Sequence, residues 1–143
     1  MKIEIMISIV GAIISIIALI KSFNTDRKTH NFAQGQIEIQ VREMISQKKT
    51  RYADLGIQLE GNPENASLKN AINAALEEVL NAYDEACSKY IDNKIDRIRF
   101  KKSYVQEIRN IVEDPNTKGY YLPPVSRYKA TLIVYEEWNN LEK

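Results

Sequence analysis

The sequence is short of the residues on which most active sites and cross-linked domains depend. Its 143 residues contain one cysteine, one histidine, one tryptophan, five glycines and four prolines. A lone Cys87 excludes an intramolecular disulfide and fits a reducing cytoplasm. His30 has no second histidine and no Glu-x-x-His spacing, so no metal constellation is expected and the imidazole is read as solvated or interfacial. The glycines form neither a Gly-x-Gly-x-x-Gly nor a Walker pattern, which leaves no phosphate cradle. No stretch alternates apolar and polar residues with turn chemistry at both ends, so strands are not expected. These gaps together predict no catalytic residues, no metal and no cofactor.

What the chain does have is one long hydrophobic run. Residues 5–20 carry no charge, and at about 1.5 Å per residue they cover roughly 24 Å, which Ile3, Ser22 and Phe23 extend towards the roughly 30 Å of a bilayer core. Glu4 and Lys21 bound the run, and no small-x-small cleavage site follows it, which favours an anchor over a secretory signal. Lys21, Arg27 and Lys28 on the C-terminal flank outweigh Lys2 on the other, placing the N-terminus outside and the rest in the cytoplasm, on an inner (cytoplasmic) membrane. Within the run, Ser8, Gly11, Ser15, Ala18 and Ser22 recur at intervals of 3, 4, 3 and 4. Small residues in such a stripe let two helix backbones approach closely, so they are the expected surface for self-association or for pairing with another membrane protein.

Beyond the anchor (residues 1–23) the chain reads as all-α: a basic juxtamembrane amphipathic helix at 24–51, either separate from the anchor or continuous with it, then a small bundle domain at 52–143, about four helices in all. Ala33, Ile37, Val41, Met44 and Ile45 recur at helical spacing, with Gly35 as a point where the helix could bend or begin, and residues 52–59 mix periods. Gly61-Asn62-Pro63-Glu64-Asn65 is a turn, and Asn65 or Ser67 caps a strongly periodic helix to about residue 92 that carries Cys87 on its apolar stripe. Asn65-Ala66-Ser67 also matches a glycosylation acceptor, which a cytoplasmic domain would not use. A break at Asn93-Lys94 leads to a helix from Asp96 or Arg97 to Glu113, stopped by Pro115. After a Tyr/Pro loop, a last helix is expected from Val125 or Ser126 to Asn140.

Charge is uneven along this order: net +4 over residues 21–51, −6 over 52–93 and +4 over 94–109. The carboxylate pairs Glu77-Glu78, Asp84-Glu85 and Glu136-Glu137 diverge by about 100° on a helix, so they read as solvated faces and not as a metal cage. Lys94, Arg97, Arg99, Lys101 and Lys102 are the candidate contacts for an anion or an anionic lipid; pairing with the acidic helix just before them is the competing reading. Phe100 and Tyr104, at i, i+4, look like core, which removes a stacking platform and disfavours nucleic acid. Tyr120, Tyr121, Tyr135 and Trp138 are the candidate surface for a cytoplasmic protein partner, with burial in the core as the alternative for Tyr135 and Trp138.

Leu80-Asn81-Ala82-Tyr83-Asp84-Glu85, Ile111-Val112-Glu113-Asp114, Tyr128-Lys129-Ala130 and Val134-Tyr135-Glu136-Glu137-Trp138 resemble small bacterial single-pass membrane proteins with a cytoplasmic helical domain of unknown function. The resemblance covers residues 75–140 and departs from that pattern in the Tyr/Pro loop. It implies a membrane-tethered bacterial protein, with no catalytic residues to transfer, of a build often found in phage-defence or stress systems. The leading expectation is a non-enzymatic interaction and assembly module that oligomerises through its anchor. A membrane-disrupting effector and a sensor of anionic lipid or nucleic acid are the alternatives.

Overall fold

A computed structural model describes residues 2–122 and 126–139, with side chains from Ser15 onward. The described residues form four α-helices and one short 3₁₀ turn, with no strand among them, in agreement with an all-α bundle. Helix α1 runs unbroken over Lys2–Gly61, α2 over Ala66–Ile91, α3 over Arg97–Glu113 and α4 over Lys129–Asn139, with the 3₁₀ turn at Lys118–Tyr121.

The 60 residues of α1 make it about 90 Å long at 1.5 Å per residue, far longer than the bundle needs. Neither Gly35 nor the mixed-period stretch 52–59 interrupts it. Residues 15–33 are exposed, and contact with the bundle begins at Gln34, whose side-chain amide donates to the Asn93 carbonyl at 3.2 Å. From there Ile37, Val41, Met44 and Ile45 form one stripe against the core, with Val41 and Ile45 fully inside. The membrane-span expectation rests largely on residues 1–14, which lie outside those whose side chains are described, as do Ser8 and Gly11. Among the described residues no helix is long and apolar enough to cross a membrane.

Helix α2 is the centre, in contact with α1, α3 and α4. Asn65 caps it by accepting from the Leu68 backbone N–H at 3.1 Å, which gives that asparagine a structural role. At the other end Asn93 takes φ 56°, Asn93 N–H donates to the Tyr90 carbonyl at 3.1 Å, and Lys94 N–H donates to the Lys89 carbonyl at 2.9 Å. This is a Schellman closure with asparagine in the left-handed position, and it explains the break seen in the sequence. Asp96 then caps α3 by accepting from Arg99 N–H at 2.9 Å.

The main core gathers Val79, Ala82, Tyr83, Ala86, Cys87 and Tyr90 of α2 with Ile95, Phe100, Ile108, Val134 and Trp138. A second cluster, Leu80, Val112, Tyr121 and Tyr128, closes the far end. Helix α4 begins at Lys129, later than the expected 125 or 126; Val125 and Asn140 lie outside the described residues. Just before the helix, Ser126 Oγ accepts from Tyr128 N–H at 3.1 Å, and a polar contact from α2 meets its first turn. Asp84 Oδ1 accepts from Thr131 N–H at 2.9 Å and from Thr131 Oγ1 at 3.1 Å, so a carboxylate of another helix caps the first turn of α4. Asp84→Ala should cost about 1–3 kcal/mol in chemical denaturation, because it strands a buried hydroxyl and an N-terminal N–H, while Asp84→Asn, which keeps an acceptor, should cost less.

Candidate functional site

The basic run lies at the start of α3, where it faces α1 and α4. Arg97 donates to both carboxylate oxygens of Glu137 at 2.9 and 3.0 Å, and its guanidinium carbon sits 4.4 Å from the centroid of the Tyr90 ring. Tyr90 in turn donates to Glu137 Oε1 at 2.7 Å and accepts from Trp138 Nε1 at 3.0 Å. One polar thread, from indole to phenol to carboxylate to guanidinium, therefore ties α2, α3 and α4 together. Arg99 pairs with Glu38 of α1 at 3.0 Å, and the same Glu38 oxygen accepts from Asp96 N–H at 2.8 Å. Lys94 pairs with Asp92 at 3.3 Å, and Lys101 lies 5.9 Å from the Trp138 ring centroid. Of the two sequence readings for this run, internal pairing is what the geometry displays, but the partners are Glu38 on α1 and Glu137 on α4; only Asp92 comes from the preceding acidic helix.

Lys102 and Arg42 remain at the rim of a cleft of about 150 Å³ between α1 and α3, also lined by Glu38, Arg99 and Tyr104. That volume is small against the roughly 300–1,000 Å³ of small-molecule sites.

The carboxylates expected to form solvated faces are partly used between helices. Glu78 accepts from Lys48 at 2.9 Å and also pairs with Arg51, so α1 is clamped to α2; Lys48 first, then Arg51, hold its carboxyl below the ordinary 4.5. Glu77 pairs with Arg127 at 3.4 Å and Glu85 with Lys89 at 3.6 Å. Glu107, which spacing did not mark, accepts from the buried Tyr83 hydroxyl and pairs with Lys49 at 3.2 Å. No group of three or more metal-ligating side chains comes together among the described residues, and His30 is exposed on α1, before its contact with the bundle.

The aromatic candidates divide. Trp138 and Tyr121 are core residues and present no surface to a partner: for Trp138 this is the core alternative left open by the sequence, and for Tyr121 it corrects the reading as a docking face. Tyr120 and Tyr135 are half-buried, with the Tyr135 hydroxyl donating to Glu113 at 2.6 Å. The Tyr121 hydroxyl is buried beside the Thr131 side chain. Burial raises the Tyr83 and Tyr121 phenols well above their ordinary 10.0, and it pushes the Cys87 thiol up from 9.0 to about 12. A thiol so held is a small core hydrophobe, the role its place on the apolar stripe predicts.

No protein-family model matches the chain, and neither the curated proteins nor the solved structures yield a match.

Groups whose acidity is weakened by folding stabilise the native state fully below their unfolded pKa and lose that contribution as pH rises towards the folded value. Stability should therefore hold to about pH 9 and fall from about 9 towards about 12 as Cys87 ionises in the unfolded chain, with Tyr83 and Tyr121 adding to the loss above about 10. Denaturation midpoints across this range check it, and Cys87 should resist a thiol reagent at about pH 8 until denaturant is added.

Proposed function

We propose that the protein is a non-enzymatic assembly module, held in a membrane by its N-terminal helix, with the helical bundle on the cytoplasmic side, and oligomerising through that helix. One observation carries this reading. Ile16, Ile17, Leu19, Ile20 and Phe23 are each more than half exposed on successive turns of α1, beyond any contact with the bundle. Leaving so much apolar surface in water is costly, at about 25 cal/mol per Å², and these residues continue without a break from the uncharged sequence at 5–15. A lipid environment removes that cost, and Lys21, Arg27 and Lys28 lie where cytoplasmic headgroups would meet them.

The same helix sets the spacing. Gln34, the first residue of α1 to touch the bundle, lies eleven residues beyond Phe23, about 16 Å along the axis. The bundle then stands off the bilayer on a helical stalk. Its basic run is spent largely on internal pairs, which favours a protein-assembly role over a lipid or nucleic-acid sensor.

Gly11→Leu and Ser15→Leu, which fill the small-residue stripe, should lower self-association in a membrane two-hybrid assay while leaving membrane fractionation unchanged. An undiminished association signal would remove the anchor from the assembly surface, and release into the soluble fraction by alkaline carbonate would remove the anchor itself.

A further inference from the structure

The face of α1 turned away from the bundle has its own repeat. Residues 22, 25, 29, 32, 36, 39, 43, 46, 50, 53 and 57 alternate spacings of 3 and 4, and every one of them is exposed. They lie on the side of α1 away from the stripe of Ile37, Val41, Met44 and Lys48 that it gives to the bundle, the centres of the two sets being about 145° apart at 100° per residue, with Ser46, Thr50 and Ala53 nearest to α3, where they border a shallow cleft with Tyr104 and Glu107. The set includes Phe32, Ile39 and Ile57, which are 68%, 59% and 67% exposed, together with Ala53. Its two threonines before the bundle turn their hydroxyls inward: Thr25 Oγ1 donates to the Lys21 carbonyl and Thr29 Oγ1 to the Thr25 carbonyl, each at 3.0 Å. What they offer outward is a methyl group. The only charge on the face is Glu43.

The flanks of this seam carry opposite charges. Counting Phe32 and Ile39 as position d, position g holds Lys21, Lys28, Gly35, Arg42 and Lys49, and position e holds Asp26, Ala33, Gln40, Gln47 and Asp54. In a parallel, in-register pair each g residue meets the e residue five places further along the other helix. That rule sets Lys21 against Asp26 and brings Asp54 beside Lys49, which also pairs with Glu107 of its own α3, and it sets Lys28 with Ala33, Gly35 with Gln40 and Arg42 with Gln47, so no like charges face one another. An antiparallel pair would set the basic g positions against each other.

We infer that a second copy of this chain occupies the outward face of α1, as a parallel, in-register coiled coil over residues 22–57. The inference rests on the proposed anchoring: a seam with so many Ser, Thr and Gln positions is weak alone, and two neighbouring anchors supply the effective concentration that closes it. Small residues at 8, 11, 15 and 18 fall in the same 3-4 register, so one seam is continuous through sequence from the anchor to residue 57. The bundles then lie on opposite sides of the pair, each free to meet other proteins.

Cysteine cross-linking of the full chain in membranes tests it. Cys87 is wholly buried and stays silent. Phe32→Cys and Ile39→Cys replace exposed side chains that the bundle does not need, and each should form disulfide-linked dimers on oxidation. Asn31→Cys, exposed one residue off the seam, should give at least about tenfold less. Adding Asp26→Lys and Asp54→Lys, which set lysine against Lys21 and Lys49, should slow cross-linking at position 32 several-fold. Equal cross-linking at positions 31 and 32, or an indifferent charge reversal, overturns the seam. No cross-link at 32 and 39 while two-hybrid association persists overturns the seam and leaves the anchor reading standing. Loss of both signals overturns both.

Discussion

The burial of Val41 and Ile45 of α1 in the main core, to which α2 gives Val79, Tyr83 and Cys87, decides what the rest of the molecule can be. Because the buried segment belongs to a helix that continues without a break on either side, it fixes the direction of everything attached to it. The Glu78 clamp to Lys48 and Arg51 and the Glu38 bridge to the start of α3 hold that segment at two further points. Such part-exposed pairs add little stability individually, and their effect is to set register between α1 and its neighbours. The exposed part of α1 before Gln34 is thereby continuous with the segment that packs in the core.

A second consequence concerns polar groups. The bundle is small, and its interior holds tyrosines and a tryptophan that need partners. The Trp138–Tyr90–Glu137–Arg97 thread and the Tyr83–Glu107 contact meet that need by drawing surface charges inward onto buried phenols. Charges that look available in the sequence are therefore committed. Burial holds Cys87 in its thiol form, and no cluster of metal-ligating side chains gathers among the described residues.

Local features were legible in the sequence because they depend on near neighbours. The limits of α2 and α3 follow from Asn65, Asp96 and the Asn93 closure, and the i, i+3/i+4 stripe correctly placed Cys87, Phe100 and Tyr104 against the core. The unity of α1 was legible only as one option, since its character changes along its length: apolar on all sides at 5–20, polar on all sides at 24–31, one-sided at 34–48. A search for one period divides such a helix into pieces. Nor could the sequence reveal that Asp84 caps α4 or that Glu38 meets Arg99, because those pairs are 47 and 61 residues apart. The outward heptad was hidden for a related reason, as it becomes meaningful only once the opposite face is known to be occupied.

The central claim is that α1 is a single rigid element running from its exposed apolar segment into the bundle. Spin labels at Arg27 and Tyr52, in the full chain diluted with unlabelled protein, measure it directly by double electron–electron resonance. An unbroken helix places the two backbone positions about 37 Å apart, 25 residues at 1.5 Å each, and predicts one narrow distance distribution near that value. A broad or markedly shorter distribution would show the helix giving way at Gly35 and would contradict the account.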